Sequence, residues 1–236
     1  MLNGIRGLFS FFTVMPFKKC EISEIIKFLY LLPFVGFSLG CFSYWIANFI
    51  GILDMKLGLT AGLFSLYFLT GFLHLDGLID VGDAWMIKDR EKRVEIMKDS
   101  NIGVGGFGIA IFTILITFFS LLELGYVGLI LSETYAKLGM ISCMYFGNPL
   151  WNGLGKHFVE GIDSKQFLSG VFIALFFTYL IYKPAPILVI LTVIFGYSFA
   201  KLSASSFGGT TGDTLGASHE ISRVLSLVVI LCINAL

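Results

Sequence analysis

The chain is poor in charge. Asp, Glu, Lys and Arg make up 14% of its 236 residues, well below the quarter usual in soluble domains. No polar stretch is long enough to fold into a soluble domain of its own. Net charge is absent too, with 16 basic against 16 acidic residues, and no nucleic-acid partner is expected. Cysteine is sparse. Cys20, Cys41, Cys143 and Cys232 show no CxxC spacing, which argues against a thiolate metal site, and no disulfide is expected. No glycine-rich stretch carries GKS or GKT, so there is no Walker A loop. The N-terminus lacks a basic region followed by a small-residue cleavage site, and no cleavable signal peptide is expected.

Apolar residues dominate what is there: 56% of the chain, with mean hydropathy +0.88, 25 Phe and 27 Gly. Glycine is frequent in membrane helices. The expected fold is all-α, a polytopic transmembrane helical bundle forming one integral-membrane domain over 1–236. Seven spans are predicted, at about 25–52, 57–80, 104–122, 124–147, 167–183, 185–205 and 219–236, each close to the ~20 residues that cross a hydrocarbon core. The pair 167–205 could instead form a re-entrant hairpin around Lys183 and Pro184. Residues 2–17, within an interfacial segment 1–22, read as an amphipathic stretch on the membrane surface. A short amphipathic surface helix is expected within 84–101.

Basic residues set the orientation. Thirteen fall on one side of the seven-span arrangement, from Arg6 to Arg223, and two, Lys56 and Lys183, on the other. That places the N-terminus and the connections 81–103, 148–166 and 206–219 in the cytoplasm and makes the chain a multi-pass protein of the cell membrane.

Chemistry concentrates in residues 70–108. Asp76, Asp80 and Asp83 are spaced i, i+4, i+7, which on a helix puts the carboxylates within about 60° of one another. Like charges so close conflict, and a divalent cation removes the conflict; Mg²⁺ prefers a few carboxylates, waters and phosphates. Asp89, Glu91 and Glu95 read as solvated ion-pair partners. Asp99 precedes SNIGVGGFG, where Gly103, Gly105 and Gly106 let amides at a helix N-terminus approach a phosphate, or let helices pack closely. Glu133 and Lys137, at i, i+4, either neutralise each other or face a substrate. Asn148, Trp151, Asn152, Lys156 and His157 fill a loop in which Lys156 is a weak phosphate candidate. In 207–220, Gly208, Gly209, Thr210 and Thr211 surround Asp213, and Glu220 lies two helical turns further on. This pattern suits a phosphate-approaching loop with a metal-binding carboxylate.

These segments carry a resemblance. HLDGLIDVGDA at 74–84, REKRVEIMKDSNIGVGG at 90–106 and GGTTGDTLGASHEIS at 208–222 resemble the three signature segments of the cobalamin synthase family. FFTVMPF at 11–17 and LLPFVGFSLG at 31–40 resemble its N-terminal pattern, in register over nearly the whole chain. The chain departs from the family in the fourth span, where SETYAKLGM at 132–140 replaces a segment like SRWA, and at His219, where the family is usually apolar.

The resemblance implies an adenosylcobinamide-GDP ribazoletransferase. It would transfer adenosylcobinamide phosphate from adenosylcobinamide-GDP to α-ribazole or its 5′-phosphate, with GMP leaving and Mg²⁺ required. Asp76, Asp80, Asp83, Asp213 and Glu220 would bind the metal. Asp99, His74 or one of those carboxylates would take the proton, and Lys98, Lys137 and the glycine-rich amides would hold phosphate. Membrane lipid is the other partner, and self-association is left open. Two other classes match the sequence less well. A CDP-alcohol phosphotransferase lacks its signature here, because LIDVGD and not an Ala-Arg pair follows Asp76-Gly77. An ion-coupled transporter lacks an internal repeat between the halves.

Overall fold

The structure is a computed structural model describing residues 2–17, 20–99, 101–151 and 153–236. Lys18 and Lys19, counted in the basic bias, and Asn152 lie outside the described residues. The described helices run in the order α1 (Leu2–Phe12), α2 (Ile22–Ile26), α3 (Leu32–Ile50), α4 (Met55–Leu69), α5 (Leu73–Trp85), α6 (Arg90–Ile96), α7 (Val104–Leu124), α8 (Val127–Phe146), α9 (Leu154–Gly161), α10 (Ser164–Ile181), α11 (Ala185–Phe207) and α12 (Gly212–Asn234).

Helix α8 is the axis of the bundle. Every residue from Gly128 to Met144 is buried, and α3, α10, α11 and α12 pack around it. Small residues allow the close approach expected of membrane helices. A Cβ on Gly40 of α3 would lie 2.6 Å from the Ile130 Cα. The outer helices turn Phe112, Phe119, Phe172, Leu180 and Ile190 outward, all more than half exposed, as lipid-facing walls do.

Among the described residues, five helices are long and apolar enough to cross a membrane, or six if α4 and α5 count as one bent span. The expectation of seven differs at two places. The fourth apolar run is helical, but it carries Glu133, Lys137 and several hydroxyl residues; enclosed by other helices, α8 presents almost nothing to lipid. The second run is broken. Between α4 and α5 the chain bends by 83°, with Gly71 at φ +61° and Phe72 at φ +56°. Two successive left-handed residues cannot continue an α-helix. The Phe72 N–H reaches the Tyr67 carbonyl at 2.9 Å and the Gly71 N–H that of Phe68 at 3.0 Å. This is a Schellman cap with glycine at its usual place, closed by the stacked rings of Tyr67 and Phe72, 6.0 Å apart.

The connections expected on one side of the membrane gather at one end of the bundle. The Val14 N–H bonds to the Leu69 carbonyl at 2.7 Å and the Thr210 N–H to the Asn148 carbonyl at 2.7 Å. Phe11 packs edge-on against Phe158. Arg90 donates to the Ala204 carbonyl at 3.0 Å, near the C-terminus of α11, where a cation is favourable. At the other end Tyr182 donates to Asn234 at 2.9 Å, and Asp54 caps α4 through the Lys56 and Leu57 amides. The surface helix expected within 84–101 is α6. Asp89 caps it, accepting from the Glu91 N–H at 3.1 Å. The N-terminal stretch expected at the interface is helical as α1, and its inner face is buried at Leu8 and Phe12.

Candidate active site

The capped end of α4 lets α5 run across the bundle end and cross α12. The crossing is close because both helices carry glycine there. A Cβ on Gly77 would lie 2.8 Å from the Asp213 carbonyl oxygen, and one on Gly216 would lie 3.1 Å from that of His74. This brings Asp76 and Asp80 of α5 beside Asp213 in the first turn of α12. Asp80 lies within electrostatic reach of Asp213, Asp76 and Asp83, and Asp213 within reach of Asp76. Among the described residues none of the four forms an ion pair with a basic side chain.

Beside this crossing is a cavity of about 290 Å³ lined by residues of α1, α5, α8, α9 and α12. Its rim carries the exposed residues Leu73, Asp76, Leu154 and Gly212, and its floor the buried Phe12, His74, Met140, Met144 and Phe158. Asp213 lines it as well. Carboxylates therefore stand at the mouth and aromatic and thioether groups at the base. The wall contributed by Phe11 and Phe12 could not be found from sequence. The amphipathic pattern of 2–12 shows that one face is buried, and not what it is buried against.

Asp83 points elsewhere. Its two oxygens accept the Gly103 and Gly106 N–H groups, each at 2.7 Å, so it caps α7 from 20 residues away. A Cβ on Gly103 would collide with that carboxylate, and one on Gly106 would lie 2.8 Å from Asp83 Oδ2. The glycines that sequence reasoning offered to a phosphate admit Asp83, and Gly105 sits against the Met86 side chain at 2.6 Å from its own ideal Cβ.

Glu220 is also apart from the cluster. It lies in a buried network: Arg223 donates to Glu220 Oε2 at 2.5 Å and to Glu133 Oε2 at 2.6 Å. The two ring nitrogens of His219 face Glu220 Oε1 at 3.1 Å and Glu133 Oε1 at 3.2 Å, and Tyr67 donates to Glu220 at 3.2 Å. Lys137 pairs with Glu133 at 3.7 Å and donates to His74 Nε2 at 2.7 Å. Two carboxylates thus balance two cations at membrane depth, where unpaired charge is costly. The i, i+4 spacing showed the Glu133–Lys137 pair; Arg223 and His219 come from a helix some 80 residues on, beyond any local signal. Arg223, counted among loop cations in the basic bias, is a core residue.

The 208–211 loop is used for packing. Gly208 takes φ +105°, and Gly209 lies against Asn148 and Leu150. The Thr210 carbonyl accepts from the Leu150 N–H at 3.1 Å. Thr211 and Thr214 form a reciprocal capping box at the start of α12. The loop aims Asp213, and the amides of Thr210 and Thr211 are engaged by protein. Lys98 sits over the Trp151 ring at 4.7 Å, close to the cavity that Trp151 lines. Asp99 is exposed and accepts from Asn101. Lys156 is ion-paired with Glu160 at 3.7 Å.

Among the described residues no three His, Cys, Asp or Glu side chains converge closely enough to cage a metal ion. Mg²⁺ does not require a protein cage, since it takes one or two carboxylates, waters and substrate phosphates. Asp76, Asp80 and Asp213 supply such hard oxygens beside a cavity and, among the described residues, form no ion pair with a basic side chain, so the donor chemistry fits the ion.

Helices of membrane-spanning length around a buried axis, with a carboxylate-rimmed cavity at one end, define a polytopic membrane enzyme of the all-α class. The model of the cobalamin-5-phosphate synthase family matches residues 4–231, and the chain belongs to that family. It is 34% identical to the adenosylcobinamide-GDP ribazoletransferase of Pyrococcus furiosus, covering 96% of this chain and 98% of the relative. It is 33% identical to that of Pyrococcus abyssi, at 96% and 97%, and 32% identical to that of Thermococcus kodakarensis, at 95% and 96%. No solved structure matches.

Proposed function

We propose that the chain transfers adenosylcobinamide phosphate from adenosylcobinamide-GDP to a free ribose hydroxyl of α-ribazole or of its 5′-phosphate, releasing GMP. Family membership supports the reaction class. The observation that carries it on this chain is the convergence of Asp76 and Asp213, from two helices, on one cavity.

In this reading the acceptor hydroxyl attacks the phosphorus that bears cobinamide, and the bond to the bridging diphosphate oxygen breaks. Such displacements ask mainly for positioning and charge neutralisation. Asp76, exposed at the mouth, takes the hydroxyl proton. Asp80 and Asp213 would hold Mg²⁺ together with one oxygen of Asp76, whose other oxygen is left for the proton; the ion would supply neutralisation of diphosphate charge. Lys137 holds His74 at the cavity wall, and Lys98 on Trp151 offers a cation to phosphate near the mouth.

The chain sits in the cell membrane with its N-terminus and the α5–α7, α8–α10 and α11–α12 connections in the cytoplasm. With Arg223 assigned to the core, 12 basic residues remain on that side against 2 on the other, which still favours this orientation. The test is an assay of the purified, detergent-solubilised chain with adenosylcobinamide-GDP, α-ribazole and Mg²⁺. GMP release matched by corrinoid product is the expected result; hydrolysis without transfer to α-ribazole would sink the reading.

A further inference from the structure

The cavity is divided in chemistry and limited in size. Its floor is mostly apolar, with Phe12, Phe158, Met140 and Met144 offering rings and thioethers; His74 is its one polar side chain, and its Nε2 is taken by Lys137. Phe12 and Phe158 pack with centroids 5.6 Å apart. The carboxylates of Asp76 and Asp213 stand toward the rim. A volume of about 290 Å³ is at the small end of sites that hold a drug-sized ligand. A nucleoside with a fused bicyclic base is on that scale. A corrin macrocycle with its amide side chains is several times too large.

Resting on the reaction proposed above, we infer that the cavity holds the acceptor alone, its flat, apolar base against the Phe12–Phe158–Met140–Met144 floor, while the corrin-bearing donor stays outside and presents only its diphosphate at the mouth. Guanine fits the floor poorly, because His74 offers its several donors and acceptors at most one free ring nitrogen and the rest of the edge would lie unpaired against thioethers and rings, and buried polar groups without partners are costly. A donor docked across the rim also covers the way in. The acceptor therefore binds before the donor, and binds without it.

The experiment uses the full chain in detergent micelles. Equilibrium dialysis with labelled α-ribazole and no donor should show one saturable site, displaced by unlabelled α-ribazole and not by guanosine. Met140→Phe, which fills the floor, should raise the KM for α-ribazole at least tenfold and leave the KM for adenosylcobinamide-GDP within twofold. Phe158→Ala, which enlarges the floor, should raise the relative kcat/KM for a bulkier base. Absence of donor-free binding, displacement by guanosine, or a KM rise confined to the donor would overturn the inference. Wild-type turnover with any of those three outcomes sinks this inference alone; failure of the wild-type chain to transfer to α-ribazole sinks the reaction on which it rests. If Met140→Phe does not fold, the dialysis result on the unaltered chain still decides.

Discussion

Lys137 Nζ lies 2.7 Å from His74 Nε2, which joins the wall of the cavity to the buried charge network behind it. Within that network the contacts are unequal. Lys137 touches Glu133 only at 3.7 Å, whereas Arg223 bridges Glu133 and Glu220 at 2.6 and 2.5 Å.

Arg223→Met is therefore expected to destabilise the bundle more than Lys137→Met. Removing one partner of a buried pair costs about 3–5 kcal/mol, and Arg223 leaves two carboxylates short of a cation where Lys137 leaves one. Thermal unfolding of the two variants in the same detergent checks the order. Equal or reversed losses would show that the network is apportioned otherwise.

Asp76→Asn and Asp83→Asn should separate activity from stability. Asp76 rims the cavity and forms no ion pair among the described residues, so the variant should fold normally and lose turnover by two orders of magnitude or more. Asp83 caps α7 with both oxygens, and an amide offers only one acceptor. Asp83→Asn should lower stability by about 1–3 kcal/mol, with activity falling as a consequence. Specific activity and melting temperature measured together distinguish them. A fully stable but inactive Asp83→Asn would return that carboxylate to the reaction site.

Gly77→Ala should cost both activity and stability. The added methyl would meet the Asp213 backbone at 2.8–2.9 Å, forcing α5 away from α12. Overpacking of this kind costs about 1–3 kcal/mol, and Asp76 moves with the helix. An unchanged kcat would mean that the carboxylates tolerate the displacement.

Chelation should abolish turnover, and Mg²⁺ or Mn²⁺ should restore it. The same ions should raise the melting temperature of the unaltered chain more than that of an Asp76→Asn, Asp213→Asn double variant. Full turnover in excess EDTA would remove the metal from the scheme.

The sequence made the local parts of this site legible and left the distant ones hidden. The i, i+4, i+7 spacing put Asp76, Asp80 and Asp83 on one helix face. It could not show that Asp83 turns to amides 20 residues on, because a carboxylate between two glycine-rich helices reads alike whether it meets metal or backbone. The same limit applied to Glu220, which shares helical spacing with Asp213 yet meets Arg223, three residues further along the same helix, and Glu133 across the bundle. The break at Gly71 did leave a signal: Thr-Gly after an apolar run is a helix stop. Continuous hydropathy through LTGFLHL masked it. Apolar runs show that a segment is buried or lipid-facing, and not whether it is straight.

That break has a consequence for the bilayer. Fifteen residues of α4 rise about 22 Å at 1.5 Å per residue, short of the ~30 Å hydrocarbon core. One way a bilayer accommodates a helix this short is local thinning of the lipid around it. The leaflet beside α4 and α5 would then dip toward the bundle, and the carboxylate rim would lie at the bottom of a shallow aqueous basin below the level of the surrounding head groups.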